Sequence, residues 1–471
     1  MNEENRRQRQ KATKNQQTKT SLNGSDDWYS EKGKPAINNL YWNKFTECMP
    51  PEDMREIQKD RLIKLVHRVY KNVPFYHKRM NEVNVSPADI RSIDDIVKLP
   101  FTYKTDLRDN YPFNLFAVPM KDIVRVHASS GTTGKPTTVG YTTTDIRNWR
   151  EVVARCLTMA GVYKDDIMQI SYGYGLFTGG LGVHFGAEKV GCTVIPISGG
   201  NTRRQLQLMS DFGSTVLACT PSYALHLADA LAENGYSLNQ MKLKTGVFGA
   251  EPWTENMRLE LEKKWGIKAF DIYGLSEIMG PGVACDCIHH CGLHIHEDHF
   301  LPEIVDPITK KNLPDGQEGE LVFTTLTKEG IPLIRYNTHD LSTLNRETCA
   351  CGRTSVRMKK ITGRSDDMLI IRGVNLFPSQ IEHVLLEMGE TSAHYMLYVD
   401  RENNLDTLEL KVEIDESKLT DTIRDLQNLS HKIEHALNSA IGLHVKVSLV
   451  EPKTIARSEG KAVRVVDNRK K

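Results

Sequence analysis

Short apolar runs alternate with stretches of helical spacing through most of this chain. Ile123–Ala128, Ile167–Ser171, Thr193–Ile197, Ser214–Cys219, Thr245–Phe248 and Ala269–Tyr273 read as strands. Runs of this length bounded by polar or glycine-rich segments suit strands buried on both faces. Between them, Asp145–Ala160 places Ile146, Trp149, Val153, Leu157 and Ala160 on one helical face, and Tyr223–Glu233 follows Thr220-Pro221, a helix start signal. The alternation predicts an α/β fold of mostly parallel strands joined by crossover helices, with ligand loops gathered beyond the carboxyl ends of the strands. Ser129–Thr137, Tyr172–Gly182, Gly249–Pro252 and Tyr273–Glu277 each follow a strand pattern, so they are expected to converge on one cleft.

The texture changes after Gly363-Arg364-Ser365-Asp366-Asp367. His394–Val399 and Leu408–Ile414 read as strands, Leu419–Ile441 as a long amphipathic helix and Val445–Val450 as a closing strand, a compact α+β module. The start of the chain is polar and rich in Arg, Lys and Gln, too poor in apolar residues to offset the entropy of ordering. The expected organisation is therefore a disordered polar tail over 1–36, a large N-terminal domain over 37–363, a hinge at 364–367 and a small mobile C-terminal domain over 368–471.

Composition narrows the class. A chain of 471 residues is long enough for more than one core. Lys and Arg total 61 against 60 Asp and Glu, so no basic field argues for nucleic acid or an anionic membrane. No apolar run reaches the roughly 18 residues needed to span a bilayer, and the first residues lack the apolar core of a secretory signal. Small-molecule partners and a cytoplasmic location are expected. Of nine cysteines, five crowd between Cys285 and Cys351, a pattern of thiol or metal chemistry more than of cross-linking.

The sharpest chemical signal is Ser129-Ser130-Gly131-Thr132-Thr133-Gly134-Lys135-Pro136-Thr137. Its glycines let backbone N–H groups turn inward, its hydroxyls donate further hydrogen bonds and Lys135 adds a charge, so the stretch reads as a polyphosphate-binding loop. It is not a Walker A loop, because Ser129 and Pro136 stand where that motif needs Gly and Ser or Thr.

This loop, Tyr273-Gly274-Leu275-Ser276-Glu277, Ile334 through Asp340, Gly363 through Asp367 and Arg457-Ser458-Glu459-Gly460-Lys461-Ala462 stand in the order found in acyl-adenylate-forming enzymes. The chain resembles that superfamily, and its phenylacetate–CoA ligase branch in particular through Met279–Ala284, Glu297-Asp298-His299-Phe300 and Asp366–Ser379. The resemblance implies that ATP activates an aryl carboxylate as an acyl-AMP, which then passes its acyl group to coenzyme A. By the same resemblance Lys461 is the adenylation lysine, Glu277 the Mg²⁺ carboxylate and Asp340 the acceptor of both ribose hydroxyls. Tyr273 with the turn Gly249-Ala250-Glu251-Pro252 would flank the adenine, Gly274 and Ser276 belong to the same nucleotide-binding set, and Arg364 would reach ribose or phosphate. Asp366 matches the hinge and Gly373 the pantetheine path, while Asn337 and His339 depart from the arginines frequent in the family. A homodimer is also implied. Delivery to a carrier protein or other acceptor, or a nucleotide-binding regulator without turnover, are the alternatives.

Two further constellations stand out. Ser171–Gly180 sets aromatic rings among glycines, which suits a flat ligand, with Tyr172 and Phe177 the candidates for an aryl-acetate ring. Cys287, His294, Cys349 and Cys351 offer three thiolates and an imidazole, the donor set of a closed structural Zn²⁺ site. Cys285 and Cys291 are alternatives to Cys287, and some members of the branch carry such a zinc.

Overall fold

The computed structural model describes residues 41–129, 136–365, 369–371, 374–376, 378–402, 405–414, 423–456 and 463–470. Its largest sheet has nine strands, and the five parallel ones lie at one side of it. These are β3 (Ile167–Ile170), β4 (Thr193–Ile195), β5 (Val216–Cys219), β6 (Thr245–Gly249) and β7 (Lys268–Leu275), each on an apolar run read as a strand from sequence. They pair in parallel in the spatial order β4-β3-β5-β6-β7. β8 (Gly280–Asp286), β9 (Leu293–Ile295), β13 (Leu344–Asn345) and β14 (Arg357–Met358) extend the sheet antiparallel beyond β7.

Crossover helices cover this sheet. The helix Thr143–Met159 starts at Thr142, whose hydroxyl accepts from the Asp145 amide at 3.1 Å while the Asp145 carboxylate accepts from the Thr142 amide at 2.9 Å. That reciprocal pair satisfies two of the donors left open at a helix start. The helix at Pro221 ends at Asp229, short of the expected Glu233, and a separate turn of 3₁₀ helix spans Ala232–Asn234.

One placement differs from the sequence reading. β1 (Arg125–Ala128) does not join the parallel sheet but forms an antiparallel hairpin with β2 (Thr138–Tyr141), in register from Arg125 opposite Tyr141 to Ala128 opposite Thr138. The candidate phosphate loop therefore tips a hairpin. The reason is local: in Arg125-Val126-His127 polar residues interrupt the apolar ones, and such a strand does not suit burial on both faces of a parallel sheet.

A second sheet is wholly antiparallel, ordered β10 (Phe300–Val305), β11 (Gly319–Thr325), β12 (Tyr336–Ser342) and β15 (Gly363–Arg364). Further along, β16 (Leu369–Ile371) pairs with β17 (Val374–Leu376). The C-terminal sheet has the order β20-β19-β18-β21, built from β18 (Thr391–Glu402), β19 (Leu405–Ile414), β20 (Lys446–Val450) and β21 (Val465–Asp467). The helices Pro378–Met388 and Ile423–Ile441 accompany it. Leu397, Val399, Leu410, Val412, Ile433 and Leu437 give this lobe an apolar core of its own. The expected disordered tail, residues 1–36, lies outside the described residues.

Candidate active site

The side chains singled out at the ends of β7, β12 and β15 meet. The Tyr273 hydroxyl donates to Asp340 Oδ2 at 2.6 Å, and Arg364 Nη1 donates to Asp340 Oδ1 at 3.2 Å. Register explains the second contact, since Asp340 and Arg364 are directly opposite in the antiparallel pair. Burial, and then the Asp340 charge, push the Tyr273 hydroxyl well above the ordinary tyrosine range, so it stays a donor.

Glu277 lies at the turn between β7 and β8 and is 3 % exposed. Its Oε1 is 3.5 Å from the Thr137 hydroxyl, at the mouth of the hairpin loop, and 3.4 Å from Lys104 Nζ. Thr137 in turn bonds Ser129 across the loop through both side chains and backbone. Ser276 Oγ lies 2.8 Å from Thr178 Oγ1, and the Leu176 carbonyl accepts from the Ala128 amide and the His127 ring, each at 3.0 Å. Three of the four expected loops thus converge. Ser130, Gly131, Thr132, Thr133, Gly134 and Lys135 lie outside the described residues, as do Lys461, Asp366 and Gly373.

The fourth loop turns sharply after β6. A Cβ on Gly249 would stand 2.1 Å from the Ile272 carbonyl oxygen, so only glycine fits there, and Ala250 follows at φ +73°. Gly274 is equally constrained, since a Cβ there would stand 1.9 Å from the Gly280 carbonyl oxygen. The Glu251 carboxylate accepts from the Ser222 amide at 2.8 Å. Glu251, Pro252 and Arg364 line a cavity of about 1920 Å³ whose other wall includes Glu382, Tyr395 and Arg464 of the C-terminal lobe. Of the two aryl-pocket candidates, Tyr172 is buried against Gly179 and Phe177 is half exposed just before the helix Thr178–Val190.

The cysteine cluster forms beside β9 and β14. Donor atoms of Cys287, His294, Cys349 and Cys351 all lie within 4.8 Å of one another. The Cys287 and Cys349 sulfurs are 3.8 Å apart, and Cys351 Sγ is 3.5 Å from His294 Nε2. A tetrahedron with metal–sulfur bonds of ~2.3 Å has sulfur–sulfur edges of about 3.8 Å, so the donors fit a metal and stand well outside disulfide length. His294 Nδ1 lies 3.0 Å from Ser355 Oγ, which orients the ring. Cys285 faces away, its sulfur 3.6 Å from the Cys156 carbonyl, whereas the exposed Cys291 lies 3.3 Å from Cys349.

Residues 50–326 match the family described as AMP-binding enzyme, and residues 373–469 match the AMP-binding enzyme C-terminal domain. The chain belongs to the AMP-binding enzyme family. This AMP-binding enzyme is 51 % identical over 438 residues to the phenylacetate-coenzyme A ligase of Thermus thermophilus, which spans 90 % of this chain and 98 % of that protein. It is likewise 51 % identical over 425 residues to the Escherichia coli phenylacetate-coenzyme A ligase, covering 90 % and 97 %. Its structure resembles 2-hydroxyisobutyryl-CoA ligase in the postadenylation state at a TM-score of 0.87, with 29 % identity over 94 % of this chain and 95 % of that one. Against the same ligase in the thioesterification state the TM-score falls to 0.69, at 30 % identity and the same coverage.

Two lysines beside the Glu277 turn of this AMP-binding enzyme escaped the sequence reading. Lys104 and Lys328 both approach the Glu277 turn from distant segments, and neither sits in a motif that spacing alone would single out. The block Glu297-Asp298-His299-Phe300 is buried: Asp298 accepts from both Nη atoms of Arg155 at 2.8 and 3.2 Å, and His299 Nδ1 lies 2.7 Å from the Thr327 hydroxyl beside Lys328.

Proposed function

We propose that this chain is an ATP-dependent aryl-acetate:coenzyme A ligase of the phenylacetate type. In the first half-reaction a carboxylate oxygen of the acid bonds to the α-phosphorus of ATP, the bridge to the β-phosphate breaks and pyrophosphate leaves. In the second, the sulfur of coenzyme A bonds to the acyl carbon, AMP departs and the thiol gives up its proton. The observation that carries the reading is a pair of contacts at the end of β7: Glu277 with Thr137, a carboxylate for metal and phosphate, and Tyr273 with Asp340, a carboxylate for ribose.

The two anions of the first step must be brought together, so catalysis rests on position and charge neutralisation. Asp340 offers two acceptor oxygens to the ribose diol, Arg364 stands beside it, and Tyr273 with Gly249–Pro252 brackets the base. Lys461 is the cation assigned to the acyl oxygen and α-phosphate. Asp366, within the hinge at 364–367, lets the domain 368–471 swing relative to 37–363, and Gly373 lines the thiol path after the swing. The higher similarity to a postadenylation structure than to a thioesterification structure supports that scheme. Tyr172 and Phe177 contact the aryl ring.

The buried Glu277 carboxylate with the Thr137 hydroxyl suits Mg²⁺, which takes one carboxylate alongside phosphate oxygens and neutralises their charge. Cys287, His294, Cys349 and Cys351 suit a structural Zn²⁺ that ties β9 to the 349–357 segment. A homodimer and a cytoplasmic location complete the reading; among the described residues no helix is long and apolar enough to cross a membrane.

A panel of aryl acids assayed for pyrophosphate release, with and without free coenzyme A, tests the proposal. Phenylacetate-type acids are expected to release pyrophosphate and to yield thioester with coenzyme A alone. Release that no aryl acid stimulates, or thioester formed only on a carrier protein, would overturn it.

A further inference from the structure

Lys328 is among the largest side chains wholly inside the protein, at 2 % exposure. Its ammonium donates to the Glu277 carbonyl at 3.2 Å and the Ile278 carbonyl at 2.8 Å, and lies 4.7 Å from the centre of the Tyr141 ring. The hydroxyl of that same Tyr141 donates to the Met279 carbonyl at 3.0 Å and reaches the Ser276 carbonyl at 3.5 Å. Two stacked side chains therefore hold four successive carbonyl oxygens, from Ser276 to Met279. On the other side of this turn the Ile278 and Met279 amides both donate to the Leu275 carbonyl at 3.1 Å.

Stability does not account for a lysine here. Burial pulls the Lys328 ammonium down to about 7, with the Asp145 and Glu277 charges opposing, and among the described residues no carboxylate is hydrogen-bonded to it, whereas a methionine of similar length would fill the space without charge. The nearby Asp145 carboxylate is already committed to the amides of Thr142, Glu329 and Gly330, at 2.9, 2.7 and 2.9 Å. What the ammonium supplies is direction. It fixes the backbone from which Glu277 projects, and Glu277 meets the hairpin loop at Thr137.

We propose that Lys328, braced by Tyr141, is a positioning residue that holds the Glu277 turn so that its carboxylate is preset for Mg²⁺. The proposal rests on the reading of Glu277 as the magnesium carboxylate. Mg²⁺ is titrated calorimetrically into the full-length protein with a non-hydrolysable ATP analogue, alongside melting temperature and the KM for the aryl acid. Lys328→Met is expected to remain folded and to bind Mg²⁺ about tenfold more weakly, the scale of lost orienting contacts behind a metal ligand. Its KM for the aryl acid stays within about twofold, a split that a general loss of packing would not produce. A folded Lys328→Met with wild-type Mg²⁺ affinity overturns the proposal. If that variant fails to fold, Tyr141→Phe carries the test: it keeps the ring, loses the hydroxyl, and is expected to weaken Mg²⁺ binding about threefold, as for one neutral hydrogen bond. Unchanged affinity in that variant overturns the proposal equally. Glu277→Gln separates the two layers: if it loses Mg²⁺ binding while the Lys328 and Tyr141 variants do not, positioning alone falls, and if it too binds normally, the magnesium reading of Glu277 falls.

Discussion

Tyr273 and Asp340 share a hydrogen bond of 2.6 Å that ties the end of a parallel strand to the neighbouring antiparallel sheet. A carboxylate held by a phenol on one oxygen and a guanidinium on the other keeps its orientation without losing all of its acceptor capacity. Asp340→Ala is expected to raise the KM for ATP by on the order of 10–100-fold, the worth of hydrogen bonds to a charged group. The KM for the aryl acid should stay within about twofold. Steady-state pyrophosphate release with each substrate varied in turn measures both.

Lys461→Ala is expected to abolish acyl-AMP formation while leaving nucleotide binding largely intact. A loss of about 10²–10³-fold in adenylation is the scale for removing one preorganised donor to developing charge. Pyrophosphate release and nucleotide binding by calorimetry check the two halves; unchanged adenylation would remove Lys461 from the mechanism.

Metal analysis of the purified protein is expected to find zinc bound at the Cys287, His294, Cys349 and Cys351 cluster. Ser355→Ala, which removes the hydroxyl beside His294 Nδ1, should weaken zinc binding by about 10–100-fold. Cys351→Ser should strip the metal and lower the melting temperature. Arg353 links that thiol to Glu47, at 3.6 Å and 2.8 Å, so exchange protection around Lys44–Glu47 should fall with it.

Burial pushes the Asp271 carboxyl up to about 7, with Lys360 opposing, although the unfolded chain releases this proton near 3.8. Between those values the folded state holds more protons than the unfolded state, so stability falls as pH rises from about 4 to about 7. Asp271→Asn removes that penalty. The variant should match the wild type near pH 4 and exceed it above pH 7 by on the order of 2–4 kcal/mol. Thermal unfolding at pH 4.5 and 8 measures the difference, and an equal gap at both would sink the assignment.

The parallel half of the fold was legible because strands buried on both faces read as apolar runs, and β3 to β7 all fall on such runs. The antiparallel half was not. β9, β13 and β14 are two or three residues long, too short to show a period. Asp340, Tyr273 and Arg364 were visible through motif order, whereas their meeting depends on register between strands. Cys349 and Cys351 announced themselves by spacing, but the upstream partner could not be read: Cys285 lies in β8, and only the fold shows its thiol turned toward Cys156. Lys104 and Lys328 carried no local signal at all, because a lysine becomes chemically specific only through what it touches.

The C-terminal lobe brings its own apolar centre, so few greasy contacts tie it to the rest; Leu386 packs against the large-lobe cluster around Tyr223 and Trp265. Much of the border is polar: His394 near Asp229 at 3.7 Å, Lys453 with Glu233, and the Ser379 hydroxyl on the Thr362 carbonyl. An exposed pair such as Lys453 with Glu233 is worth ~0–1 kcal/mol. Under the proposed swing, such a border would let the exchange of pyrophosphate for a thiol-bearing cosubstrate move the lobe without any separate source of work.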